Sequence, residues 1–214
     1  MLRRVVLPLK LCLLLAIFPA LAVAQTGSTM NYPRLFAPAE HASTGIAIVN
    51  PNATSASVTL RYYSADGELL SFSTVTVPGS GQLAQLVSQI FPSVTQRGWI
   101  SATSTMPNLE SFWLTGDFST STDSAASSPV SSVVLYPIVT DRTELSIANV
   151  GTTGETVTFL VFDQIGNPIG VSDRPIAARG IVQGTVAQLT GTAVTAASTI
   201  YVAAVGSSLS SRLA

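Results

Sequence analysis

The chain has one cysteine, Cys12, one histidine, His41, and no lysine after Lys10. Charged residues make up 10% of its 214 residues, against roughly 25% in an average globular protein. Each scarcity excludes something. One histidine and one cysteine cannot build a closed tetrahedral zinc shell, so no metal is expected. A single thiol forms no internal disulfide, so burial of apolar side chains must hold the fold. His41 lies in a loop beside Glu40, and none of the many serines sits in a nucleophile-elbow pattern, so a Ser-His-acid triad is not expected and His41 is read as an exposed loop residue. Glu110 and Asp117 make a poor glycosidase pair, with no second acidic motif near them. Asp66 with Glu68, and Asp163 with Asn167, fall short of the roughly 6–8 oxygen ligands of calcium, and turn chemistry explains them better. The chain reads as neither an enzyme nor a cofactor carrier.

Residues 1–24 have the pattern of a secretory signal peptide: Arg3, Arg4 and Lys10, an apolar run from Leu11 to Ile17, and the small-residue exit Ala22-Val23-Ala24. The run is shorter than the ~20 apolar residues of a membrane span. Cleavage after Ala24 removes the cysteine and three basic residues, leaving seven arginines against eleven acidic residues, a net charge of −4. Such a surface lacks the basic footprint for nucleic acid or an anionic membrane. Export to the periplasm, the cell surface or the medium is expected, with no integral membrane insertion of the product. An outer-membrane barrel is disfavoured by the helical segments described below and by a C-terminus without a terminal aromatic residue.

What the chain does contain is a duplication. Thr44–Phe91 lies without a gap on Thr143–Thr190 at an offset of 99, pairing Ile48 with Ile147, Asn50 with Asn149, Thr54 with Thr153, Gly67 with Gly166, Gly81 with Gly180 and Gln89 with Gln188. Within each copy the apolar residues alternate, as Val58, Leu60 and Tyr62 do, and Asn50-Pro51-Asn52, Asp66-Gly67 and Ile165-Gly166-Asn167 supply turns. Pro168 and Pro175 mark a shortened or edge strand in the second copy. Leu83, Leu86, Val87 and Ile90 have helical spacing and predict one short helical turn, repeated as Val182, Val186 and Leu189. With one residue of slip, Ile100 matches Ile200, Leu109 matches Leu209, Trp113 matches Leu213 and Trp99 matches Thr199.

These signals predict an all-β protein: a frayed leader to Asn31, a first β-sandwich over 32–118, a Ser/Thr-rich linker over 119–132 and a second sandwich over 133–214, each with about six strands and one helical turn. The segments Thr44-Gly-Ile-Ala-Ile-Val-Asn-Pro-Asn and Glu144-Leu-Ser-Ile-Ala-Asn-Val-Gly, each followed by an alternating strand and a hairpin, resemble the immunoglobulin-like repeats of exported bacterial proteins. The resemblance implies two tandem immunoglobulin-like β-sandwich domains serving as an adhesive, spacer or binding module, with a protein or polysaccharide of the cell envelope as partner. It carries over no functional residue.

The binding candidates are aromatic, because flat rings stack on sugars or anchor peptides. A position matched by threonine reads as exposed, so Trp99, with Tyr63 and Arg61 on an outward strand face, is the candidate ligand-binding set. A carbohydrate-binding module using these rings is the alternative function, and an envelope hydrolase is the third. A lone outward tryptophan is more often a covered edge or an interdomain contact, and that reading of Trp99 is preferred to ligand binding.

Overall fold

The computed structural model describes residues 27–117, 121–194 and 200–214. The proposed signal peptide lies outside the described residues. Among the described residues, fourteen strands and two one-turn helices make up nearly all of the regular structure, and every strand pairing is antiparallel.

The first half contains β1 (Ser28–Phe36), β2 (Thr44–Asn50), β3 (Ala56–Ser64), β4 (Leu69–Val77), β5 (Gly81–Leu86), α1 (Val87–Ile90), β6 (Gly98–Ser104), β7 (Glu110–Asp117) and β8 (Ser121–Ala126). They form two four-stranded sheets, ordered β1-β6-β3-β4 and β5-β2-β7-β8. Alternation turns Ile46, Ile48, Val58, Leu60, Tyr62, Ile100 and Trp113 into one buried cluster between the sheets. Burying each such aliphatic side chain contributes roughly 1.5–3 kcal/mol. Three expectations are corrected. Residues 28–31 of the expected leader are not frayed, since β1 begins at Ser28 and buries Met30 and Asn31. The expected linker contains β8, which pairs with β7 from Phe112–Ala126 to Asp117–Ser121. Leu83 and Leu86 belong to β5, because an alternating strand running into a single helical turn imitates helical spacing.

The second half contains β9 (Val133–Val139), β10 (Glu144–Ala148), β11 (Glu155–Phe162), β12 (Pro168–Ile176), β13 (Ile181–Thr185), α2 (Val186–Thr190) and β14 (Ile200–Gly206). Its four-stranded sheet, β12-β11-β14-β9, repeats the first sheet strand for strand, with β12 at the edge where its prolines are tolerated. β12 is nevertheless as long as β4.

Its other sheet has only β10 and β13. The C-terminal residues supply isolated bridges, Asn149 to Leu213 and Ser131 to Leu213, in place of β7. This changes the equivalences at the end of the chain. Tyr62 pairs with Ile100 and the equivalent Val161 pairs with Val202, so Ile100 corresponds to Val202 and Trp99 to Tyr201. Leu213, fully buried beside Asn149, takes the place of Leu109, while Leu209 is 98% exposed.

Two equivalent tyrosines find different partners. Tyr32 pairs with Ile100 and Tyr136 with Val202, in equivalent rows. The Tyr32 hydroxyl donates to Ser111 Oγ on β7 at 2.9 Å. The Tyr136 hydroxyl donates instead to the Ser146 carbonyl of β10 at 2.6 Å. Burial pushes both hydroxyls above the usual tyrosine range.

Candidate functional site

Trp99 is on the outer face of its sheet, as alternation dictates, yet it is 0% exposed. The second half covers it. Trp99, Tyr63, Ala148, Val150, Ile181 and Ala214 form a third apolar cluster between the halves. The indole Nε1 donates to the Arg179 carbonyl at 2.8 Å, and Tyr63 and Trp99 pack with ring centroids 5.5 Å apart. Arg179 is held at φ +60, its guanidinium 6.0 Å from the Tyr63 ring centre and bonded to the Val150 carbonyl. Of the expected site residues, Trp99 and Tyr63 come together at this junction, and the expectation that Trp99 is exposed is corrected. Its match to threonine came from the wrong register. Arg61 lies further along the same face and donates to Thr103 Oγ1 at 3.0 Å.

Beside the junction a cleft of about 270 Å³ opens between β8 and β10, with Arg34 in its wall. Arg34 is fully engaged: it bonds Glu40 at 2.8 Å and Asp123 at 3.3 Å, and its guanidinium carbon lies 5.3 Å from the centres of both the Phe36 and Trp113 rings. Burial pushes the Glu40 carboxyl up, but the bonds from Arg34 and the Ala37 amide outweigh it and hold the pKa below the usual value. Glu144 accepts a bond from Gln183 at 2.8 Å. Arg34, Glu40, Asp123 and Glu144 are thus each engaged in a bond to another side chain.

His41 is not an exposed loop residue. It is buried, bonded through Nε2 to the Tyr62 hydroxyl at 2.9 Å and packed edge-on against that ring. Glu110 is exposed at the start of β7. Asp163 accepts bonds from the Ile165 and Asn167 amides and from Asn167 Nδ2, so its carboxylate closes its own turn. Among the described residues no group of three or more His, Cys, Asp or Glu side chains could hold a metal, and no helix is long and apolar enough to cross a membrane.

The largest chemical difference between the halves is on the outer faces of the two equivalent sheets. In the first half one row across the strands reads Asn31, Ser101, Arg61, Phe72, and the next reads Thr29, Thr103, Thr59, Thr74. The same rows in the second half read Leu135, Ala203, Leu160, Val171 and Val133, Val205, Thr158, Asp173. Leu135 is 70% and Val171 67% exposed. Asn31, Ser101 and Arg61 give way to Leu135, Ala203 and Leu160, and Thr29 and Thr103 to Val133 and Val205, while Phe72 is as exposed as Val171 and the second half keeps Thr158 and Asp173. The pairing register reveals this contrast, and the repeat alignment missed it because β9 and β14 lie outside its gap-free part. Compared with protein-family models, characterised proteins and solved structures, the chain matches none.

Proposed function

We propose that this chain is an exported, non-catalytic structural or adhesive module built of two immunoglobulin-like sandwiches, and that it docks a protein partner of the cell envelope on the outer face of β9, β14, β11 and β12. The observation that carries the reading is the row Leu135, Ala203, Leu160, Val171, aliphatic throughout where the first half has Asn31, Ser101 and Arg61 beside the exposed Phe72. Contiguous exposed apolar surface of this kind marks interaction sites, and covering Leu135 or Val171 would contribute roughly 1.5–3 kcal/mol each. Aliphatic side chains offer a sugar neither a stacking ring nor a hydrogen bond, which favours protein over polysaccharide. The β2–β5 and β3–β6 neighbours correspond to immunoglobulin pairs, whereas β7 joins β2 where an immunoglobulin domain pairs its last strand with the β6 equivalent.

The test is saturable binding of the immobilised chain to envelope protein fractions and to a glycan array, with Leu135→Glu/Val171→Glu alongside. Retention of an envelope protein by wild type and its loss in the folded variant are expected. Glycan binding that survives the variant, with no protein retained by either form, overturns the reading.

A further inference from the structure

The contact joining the halves uses each copy of the duplication differently. The first half contributes a plug, made of the Tyr63–Trp99 row and the β3–β4 hairpin. There Ala65 O accepts the Ile181 amide at 2.9 Å, and Gly67, at φ +90, lies so close that an added Cβ would meet Ala178 O at 1.9 Å. The second half contributes a socket, made of Ala148, Val150, Ile181 and the Arg179 carbonyl. A duplicated chain should contain each surface twice, leaving one plug and one socket over.

Both are present and uncovered. Phe162 and Tyr201 pair as Tyr63 and Trp99 do, and Gln164–Gly166 repeats the hairpin tip Ala65–Gly67. Tyr201 is 41% and Ile165 84% exposed. Gly166 keeps the strained φ of +87, yet an added Cβ would meet nothing within 4 Å. A glycine there retains the backbone shape of a close approach without the neighbour. At the other end, Val49, Pro51, Ser80 and Gln82 occupy the positions of Ala148, Val150, Arg179 and Ile181, all of them exposed. The socket backbone is the same: Ser80 at φ +50 matches Arg179 at φ +60, and the Ser80 amide donates to Asn52 O as the Arg179 amide donates to Gly151 O. An open cavity of about 390 Å³ lies among Val49, Pro51, Ser80 and Gln82.

We propose that the occupant of each free surface is a second copy of this chain, the Phe162–Tyr201 corner of one molecule seating in the Val49–Gln82 socket of the next. The Tyr201 hydroxyl takes the part of the indole N–H toward the Ser80 carbonyl, and Gln164 O that of Ala65 O toward the Gln82 amide. Such a contact is heterologous, so it propagates head to tail into an open string of subunits instead of closing into a symmetric dimer. Without the covalent tether that joins the two halves, it forms only as concentration rises. The proposal needs no envelope partner; Tyr201 and Phe162 occupy the row next to Ala203 and Leu160 on the same outer face, and Leu135→Glu separates the two readings.

Sedimentation equilibrium over a wide concentration series tests it, using the secreted chain, a plug variant (Ile165→Asp/Tyr201→Asp), a socket variant (Pro51→Glu/Gln82→Glu) and Leu135→Glu. All substituted side chains are exposed or half-exposed, and circular dichroism confirms folding. Wild type and Leu135→Glu are expected to grow past dimer as concentration rises. The plug and socket variants stay monomeric alone and form a 1:1 dimer, and nothing larger, when mixed. A wild type that remains monomeric throughout overturns the proposal. So does association that survives in both variants, or that Leu135→Glu alone abolishes.

Discussion

Asn50 and Asn149 make the same hydrogen bonds from equivalent positions. Asn50 Nδ2 donates to the carbonyls of Thr54, Val77 and Pro78, and its Oδ1 accepts the Asn52 amide at 3.0 Å. Asn149 Nδ2 donates to Thr153, Ile176 and Ala177, and its Oδ1 accepts the Gly151 amide at 2.8 Å. Each side chain ties the turn after its strand to the end of the strand opposite. Both are buried, so alanine leaves carbonyls unpaired at about 1–3 kcal/mol. The two positions differ in reach, because the turn held by Asn149 also carries Val150 and faces Arg179. Asn149→Ala is expected to lower stability and loosen the junction around Trp99, whereas Asn50→Ala affects the first half alone. Hydrogen exchange at the Ile181 amide, which Ala65 O protects, separates them. Equal exchange there in both variants refutes the distinction.

Trp99 is the joint between the halves. Trp99→Ala removes its ring from the junction cluster, a loss of about 3–5 kcal/mol by analogy with other large-to-small substitutions. Trp99→Phe keeps most of the bulk and leaves the Arg179 carbonyl without its donor, at about 1–3 kcal/mol. Calorimetry is expected to show one cooperative transition for wild type and Trp99→Phe, and two for Trp99→Ala as the halves unfold separately. A single unshifted transition in Trp99→Ala excludes this role.

The duplication was legible because turn chemistry is local: Asn50 and Asn149, Gly67 and Gly166 do the same work with neighbours close in the chain. What lay beyond the gap-free repeat was not. Leu209 matches Leu109 by letter, but the pairing of Asn149 with Leu213 decides which leucine is buried. Trp99 was misplaced for a related reason. Strand alternation says which side of a sheet a residue faces, and nothing in it reports that another part of the chain will cover that side. His41 adjoins a glutamate in a short connection, and its burial depends on Tyr62 and Phe91, which arrive from other elements. The apolar outer face shows up only by comparing rows across β9, β14, β11 and β12, and those rows exist only once the strands are paired.

His41 gives the fold a pH dependence of known sign. Burial lowers the imidazole pKa, and the nearby Glu40 carboxylate raises it by a smaller amount, so the net folded value lies below the ordinary 6.5. Between the folded value and about 6.5 the unfolded chain binds more protons than the folded one. The contribution is therefore complete above about pH 6.5 and is lost as the pH falls through that value toward the folded pKa. Urea midpoints measured from pH 8 to 5 are expected to fall below about pH 6.5 in wild type. The slope flattens in His41→Gln, whatever its absolute stability. A wild-type midpoint constant across that range contradicts the assignment.

Tyr136 and Tyr32, in equivalent rows, hold different groups. Tyr32→Phe leaves Ser111 Oγ without its partner in a fully formed sandwich. A hydroxyl can rotate to another acceptor, so the cost stays near the roughly 1 kcal/mol of one hydrogen bond. Tyr136→Phe instead uncovers the Ser146 carbonyl on β10, on the side opposite β13 where β7 would otherwise pair. A main-chain acceptor cannot turn away. Its loss is expected to cost more, toward 1–3 kcal/mol, unless water enters the cleft to replace the phenol. Thermal unfolding of the two variants, with hydrogen exchange along β10, measures both effects. A larger loss in Tyr136→Phe together with faster exchange at Leu145 and Ile147 supports the tyrosine as the partner that holds this side of β10. A larger loss in Tyr32→Phe with β10 protection unchanged assigns Tyr136 to packing alone.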